Sequence, residues 1–124
     1  MKLHADAPTS LNTVTGYGPG FIEVNKTRQP GNLLLMPDAP ARPWQATGFG
    51  SLRAEDFDSI VALRPEVVLL GTGRRQRFPD PRLTAALARA GVGLEVMDTA
   101  AACRTYNILM SEGRRVLAAF LQEE

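Results

Sequence analysis

The sequence predicts a single α/β (α+β) domain, an antiparallel β meander in its first half followed by a β-α-β-α-β succession. Three features point to it. A chain of 124 residues with 44% hydrophobic and 22% charged residues has the size and composition of one globular core. Most of the Gly and Pro falls in the first fifty residues, as expected of short strands joined by turns. From Ala54 onward, helical apolar spacing alternates with short β-branched and Leu runs.

In the first half, Leu11–Thr15 reads as a strand that ends at the turn Gly16-Tyr17-Gly18-Pro19-Gly20. Phe21–Val24 is the next strand, Asn25–Asn32 (with Pro30-Gly31) a second turn, and Leu33–Met36 an apolar strand. Pro37, Pro40 and Pro43 limit the next stretch to a short edge strand, Arg42–Ala46, around Trp44. Trp44 between prolines reads as a core or interface anchor.

In the second half, Phe57, Ile60 and Val61 share one helical face, and Asp56 and Asp58 beside it read as solvated charge. Pro65 ends that helix, and Glu66–Leu70 is a buried strand bounded by Gly71. Asp80-Pro81 reads as an N-cap and first helical position, with Leu83, Leu87 and Ala90 on one face until Gly91. Gly93–Met97 is a second strand. Asp98-Thr99 caps a third helix carrying Ala102, Tyr106 and Leu109, which stops at Gly113. Propensity leaves Arg115–Leu121 open between a last strand and a terminal helix. The alternation of strand and helix predicts parallel pairing with right-handed crossovers.

Counting narrows the chemistry. A single cysteine, Cys103, excludes an intrachain disulfide, and one Cys with one His excludes a closed Cys/His zinc site. His4 would have to serve every histidine-dependent nucleophile, and it sits in residues 1–8, read as a mobile tail. Cys103 reads as packed and inert. No catalytic residue, metal ligand or cofactor is expected, and the inventory argues against an enzyme. A net charge of +1 argues against nucleic acid as the partner, unless Arg74, Arg75, Arg77, Arg114 and Arg115 converge on one face. No apolar signal segment precedes Val14, and the longest apolar run, Val116–Leu121, is too short to span a bilayer. A cytoplasmic protein is expected.

One stretch suggests a ligand. Gly71-Thr72-Gly73-Arg74-Arg75-Gln76-Arg77 comes directly after the strand Glu66–Leu70, and parallel pairing brings the start of the third helix to the same sheet edge. Gly71, Thr72 and Gly73, with Asp98, Thr99, Arg104 and Tyr106, are the candidate ligand-binding residues for a small anion or nucleotide. The loop lacks both the GxGxxG and the GxxxxGK[ST] spacing, so a solvated turn is the competing reading. Asp98 as a simple cap, Arg104 as a surface charge and Tyr17 folded onto the core are the competing readings for those residues.

Pro65-Glu66-Val67-Val68-Leu69-Leu70-Gly71-Thr72-Gly73 resembles a segment of a family of small α/β domains. So do Met97-Asp98-Thr99, Ala102 through Leu109, Ser111 through Val116, and the early Gly18-Pro19 turn. That family includes the mitochondrial respiratory complex I assembly factor 3, an adipogenesis-associated human protein and many bacterial members. The resemblance implies a hammerhead-like β arrangement in the first half and a strand at Arg115–Leu121. It also implies a non-enzymatic protein-interaction module of the bacterial branch. Its partners would be subunits of a respiratory or other membrane complex, and it would meet the inner membrane only through them.

Overall fold

In the computed structural model, which describes residues 10–122, the first three strands form a sheet of their own. They are β1 (Val14–Gly18), β2 (Phe21–Val24) and β3 (Thr27–Pro30), paired antiparallel in sequence order. The chain continues through β4 (Leu33–Met36), β5 (Ala39–Pro43), α1 (Ala54–Ala62), β6 (Val67–Thr72) and α2 (Ala85–Arg89). It ends with β7 (Gly93–Met97), α3 (Thr99–Ser111) and β8 (Val116–Leu121). These later strands make a five-stranded sheet in the order β5-β4-β8-β6-β7. The expected α/β class holds, with β6 parallel to both β7 and β8 and β4 antiparallel to β5 and β8. The expected mobile tail at residues 1–8 lies outside the described residues.

The large sheet sorts its side chains by the strand period of two. Val67, Leu69, Val116, Ala118 and Phe120 face a core shared with α3 and with Val14, Ile22 and Val24 of the small sheet. Val68, Leu70, Leu117, Ala119 and Leu121 face a second core, made with Trp44, Phe57, Ile60 and Leu87. Both β6 and β8 are buried from end to end, which explains their unbroken apolar runs. This settles Arg115–Leu121 as a strand. A helix would have needed a polar face, whereas Val116–Leu121 has apolar neighbours on both sides. Each large apolar side chain buried this way contributes about 1.5–3 kcal/mol.

Several local expectations change. The meander is divided between two sheets, because the antiparallel succession breaks between β3 and β4. The stretch Asn25–Asn32 is not one turn. The turn is confined to Asn25-Lys26, with φ 51° and 73°, and Thr27–Pro30 pairs with β2. An exposed edge strand has no apolar alternation to reveal it. The edge strand expected at Arg42–Ala46 lies at Ala39–Pro43, so Trp44 falls beyond it and into the core. There its ring meets Phe57 edge-on at 5.9 Å and Nε1 donates to the Asp56 carbonyl at 3.1 Å. The second helix starts at Ala85 rather than Pro81, because Asp80 closes a turn instead: its Oδ1 accepts the Arg82 N–H at 2.9 Å. Asp58 is solvated as expected, but Asp56 is 1% exposed. Its Oδ2 accepts the Arg53 N–H at 2.9 Å, half of a capping box at the start of α1.

Candidate functional site

Parallel pairing carries the ends of β6 and β8 and the start of α3 to one edge of the large sheet. Thr99, the first residue of α3, ties them together. Its hydroxyl accepts the Gly73 N–H at 2.8 Å and donates to the Leu121 carbonyl at 2.6 Å, while its own N–H donates to the Gly73 carbonyl at 2.9 Å. This close approach requires the glycine at 71. A Cβ there would stand 3.0 Å from Thr99 Oγ1 and 3.1 Å from Thr99 Cα. Thr72, also buried, donates its hydroxyl to the Arg75 carbonyl at 2.7 Å and accepts the Arg77 N–H at 3.1 Å. Gly71, Thr72 and Gly73 therefore form a braced corner at the end of β6, while Arg74, Arg75 and Gln76 beyond it are exposed, as the solvated-turn reading has them.

Above that corner opens a cleft of about 460 Å³. Gly73, Arg74, Thr99 and Ala100 form one wall with Leu121 and Gln122, and the β1–β2 hairpin from Tyr17 to Phe21 forms the other. The Phe21 ring lies against Gly18, where a Cβ would come within 2.8 Å of it. Tyr17 is half-buried and its hydroxyl accepts a hydrogen bond from Arg104 Nη1 at 3.0 Å, so it closes the hairpin onto α3. Gln122 Nε2 is buried and meets no hydrogen-bond partner among the described residues.

The seven candidate residues do not all gather here. Gly73 and Thr99 line the cleft; Gly71 and Thr72 are buried beneath it. Asp98 is engaged as the cap of α3, its Oδ1 accepting the Ala101 N–H at 2.8 Å. Arg104 lies six residues beyond Asp98 on α3, and its Nη1 reaches the cleft wall by donating to the Tyr17 hydroxyl. Tyr106 lies in the core under β1, with its hydroxyl donating to the Asn12 carbonyl at 2.9 Å and burial raising its pKa above the ordinary phenol value. Cys103 is fully buried, and burial pushes its thiol up to about 12, which leaves it protonated and unreactive at neutral pH. The sequence missed Ala100, Leu121 and Gln122, and its turn at Gly16-Tyr17-Gly18-Pro19-Gly20 is shorter than expected, because Gly16, Tyr17 and Gly18 pair with β2.

The five arginines weighed as a nucleic-acid patch do not share a face. Arg74, Arg75 and Arg77 come after the end of β6, while Arg114 and Arg115 precede the start of β8 at the opposite edge. There Arg114 pairs with Glu66 at 2.7 Å and Arg115 with Asp38 at 3.2 Å.

Comparison with known proteins places these features in a wider set. An uncharacterised protein of Rhodobacter capsulatus is 42% identical over 110 residues, covering 87% of this chain and 82% of that protein. The bovine NADH dehydrogenase [ubiquinone] 1 alpha subcomplex assembly factor 3 is 31% identical over 121 residues, covering 96% of this chain. The chain spans 65% of that bovine protein's length. Among solved structures, a Bordetella parapertussis protein superposes with a TM-score of 0.86 at 46% identity, covering 94% of this chain and 100% of that one. The family model described as "Protein of unknown function (DUF498/DUF598)" matches residues 14–121, which span both sheets and the helices α1 to α3, and the chain belongs to that family.

Proposed function

We propose that this chain is a non-enzymatic protein-interaction module that assists assembly of a respiratory or other membrane complex. The observation that carries the reading is the 31% identity, over 96% of the chain, to a bovine protein named as an NADH dehydrogenase [ubiquinone] assembly factor. The state of the reactive groups supports it. Cys103 and Tyr106 are buried in the core, and Asp98 is occupied as a helix cap. No helix among the described residues is long and apolar enough to cross a membrane, so contact with a membrane complex would run through its subunits. Affinity purification of the tagged protein from its own host tests this. Co-purification of respiratory-complex or membrane-insertion components is the expected result, and recovery of no specific partner overturns the reading.

The cleft favours a second reading, a binder of a small anionic ligand or nucleotide. Its volume of about 460 Å³ falls in the range of small-molecule sites, and Arg74 and the start of α3 lie on one wall. A thermal-shift screen with phosphates, nucleotides and small carboxylic acids separates the two, since a ligand that favours the folded state raises Tm. A shift that Arg74→Ala abolishes supports the second reading; uniformly flat shifts overturn it.

A further inference from the structure

The two sheets have four marginal strands, β1 and β3 in the small sheet and β5 and β7 in the large one. Three of them carry a proline or a side chain that takes both backbone groups of one residue. Pro30 stands in β3, and Pro40 and Pro43 stand in β5. On β1, Asn107 takes both backbone groups of Val14. The strand β7, Gly-Leu-Glu-Val-Met, has no proline.

The direction of its backbone groups is set by the hydrogen bonds. Gly93 donates its N–H to the Glu66 carbonyl at 3.3 Å, and the parallel register pairs Gly93 with Val67, Glu95 with Leu69 and Met97 with Gly71. Gly93, Glu95 and Met97 therefore turn their backbone groups toward β6, and Leu94 and Val96 turn theirs outward. One outward group is already in use. Gln76 Nε2 donates to the Val96 carbonyl at 2.9 Å, in the position that the N–H of a neighbouring strand would take. Two residues after Gln76 comes Phe78, 75% exposed.

We propose that the β7 margin accepts an extended segment of a partner protein as an added strand, with a Lys or Arg of that segment facing Glu95. This deepens the protein-interaction reading, on which it rests, by naming the surface and the chemistry of the partner. Glu95 is exposed and lies on the opposite face from Leu94 and Val96, which pack onto the second core. Its charge selects the occupant. If two copies of this chain paired antiparallel through Leu94 and Val96, each Glu95 would stand opposite the other, a destabilising like-charge pair. A basic residue there is a favourable cross-strand partner. The Gln76 amide yields its place to the incoming backbone.

The probe is a fluorescent peptide, acetylated and amidated, of sequence Thr-Val-Lys-Val-Thr-Val-Lys-Val. Saturable binding is expected, with slowed amide hydrogen exchange at Leu94 and Val96. Val96→Pro removes an outward N–H and trims a side chain packed at the margin of the second core; with the native circular dichroism retained, it is expected to weaken binding about tenfold or more. Glu95→Lys, at an exposed position, is expected to weaken it similarly and to restore binding to a peptide with Glu in place of Lys. Absence of saturable binding, protection at the cleft instead of β7, or undiminished binding by both variants overturns the proposal. A dimer in sedimentation that Val96→Pro dissolves also overturns it, by naming a second copy as the occupant. Peptide binding without any captured host partner would sink the assembly reading alone. Host partners retained equally by Val96→Pro would sink only the β7 site.

Discussion

The carboxamide of Asn107 makes both hydrogen bonds to the backbone of Val14. Its Oδ1 accepts the Val14 N–H at 2.9 Å and its Nδ2 donates to the Val14 carbonyl at 2.8 Å. A side chain on α3 thus pairs with β1 as one residue of a neighbouring strand would. Asn107→Ala leaves both groups of a fully buried residue without partners, at a cost of about 1–3 kcal/mol for each unsatisfied group. Asn107→Asp keeps the acceptor and loses the donor, so a smaller loss is expected. Urea unfolding checks both, with the midpoint falling and the m-value unchanged. A midpoint that does not move for Asn107→Ala would show that β1 does not depend on this contact.

The corner beneath the cleft discriminates between two glycines. Gly71→Ala drives a methyl to 3.0 Å from Thr99 Oγ1 and 3.3 Å from Ala102 Cβ, and a loss of about 1–3 kcal/mol is expected. At Gly93 the nearest atom is 3.7 Å away, an ordinary contact, so Gly93→Ala is expected within about 1 kcal/mol of the parent. Thermal unfolding of the pair tests this, and equal Tm values would contradict the packing described.

Thr99→Val keeps the shape of the side chain and removes both hydroxyl hydrogen bonds, leaving the Gly73 N–H and the Leu121 carbonyl without that partner. A loss of about 2–4 kcal/mol is expected, whereas Thr99→Ser should lose less than half as much. Denaturant midpoints for the two variants decide it; a Val variant as stable as the Ser variant would remove the hydroxyl from the account.

Cys103 and Tyr106 give the domain an alkaline limit. Burial raises both acidities' midpoints, so the folded chain holds its protons where the unfolded chain releases them. Their contribution is complete below about pH 9 and declines as pH rises toward about 12. Stability measured by urea unfolding is expected to fall steadily above pH 9, with a shallower slope in Cys103→Ala. In the native state at neutral pH, a thiol reagent should label Cys103 only as fast as the protein opens. Labelling as rapid as in the unfolded chain would refute the burial.

The two aspartates of α1 are expected to differ. Asp56→Ala removes the acceptor that holds the Arg53 N–H, at a cost of about 1–2 kcal/mol. Asp58 is exposed, and Asp58→Ala is expected to stay within about 0.5 kcal/mol. Chemical denaturation of both variants checks the difference, and matched losses would contradict the buried cap.

Legibility in the sequence tracked the strength of the local pattern. Phe57, Ile60 and Val61 announced α1, and the runs around Val67–Leu70 and Gly93–Met97 announced β6 and β7, because apolar period reports directly which side faces a core. Thr27–Pro30 was hidden because an exposed edge strand buries almost nothing. Asp56 looked solvated because its spacing says nothing about the backbone N–H of Arg53 that draws it in. That Gly73 and Thr99 meet at one sheet edge was legible from the order of strand and helix alone. Tyr106 was misplaced because a helix alternates faces within a few residues, and its position turns to the core rather than the cleft.

Local chemistry was enough to decide where most elements lie, that one domain forms, and which helix start meets which strand end, since periodicity, caps and crossover handedness act over a few residues or a single connection. Only the packed molecule decided that the first half divides into two sheets and that the Tyr17–Phe21 hairpin walls the cleft. It also decided that β7, a strand without proline, stands at a margin of the large sheet. Those outcomes depend on which distant segments share a ladder or a core. The hydrogen bonds that settle them, from Asn107 to Val14 and from Thr99 to Leu121, join residues whose separation along the chain carries no local signal.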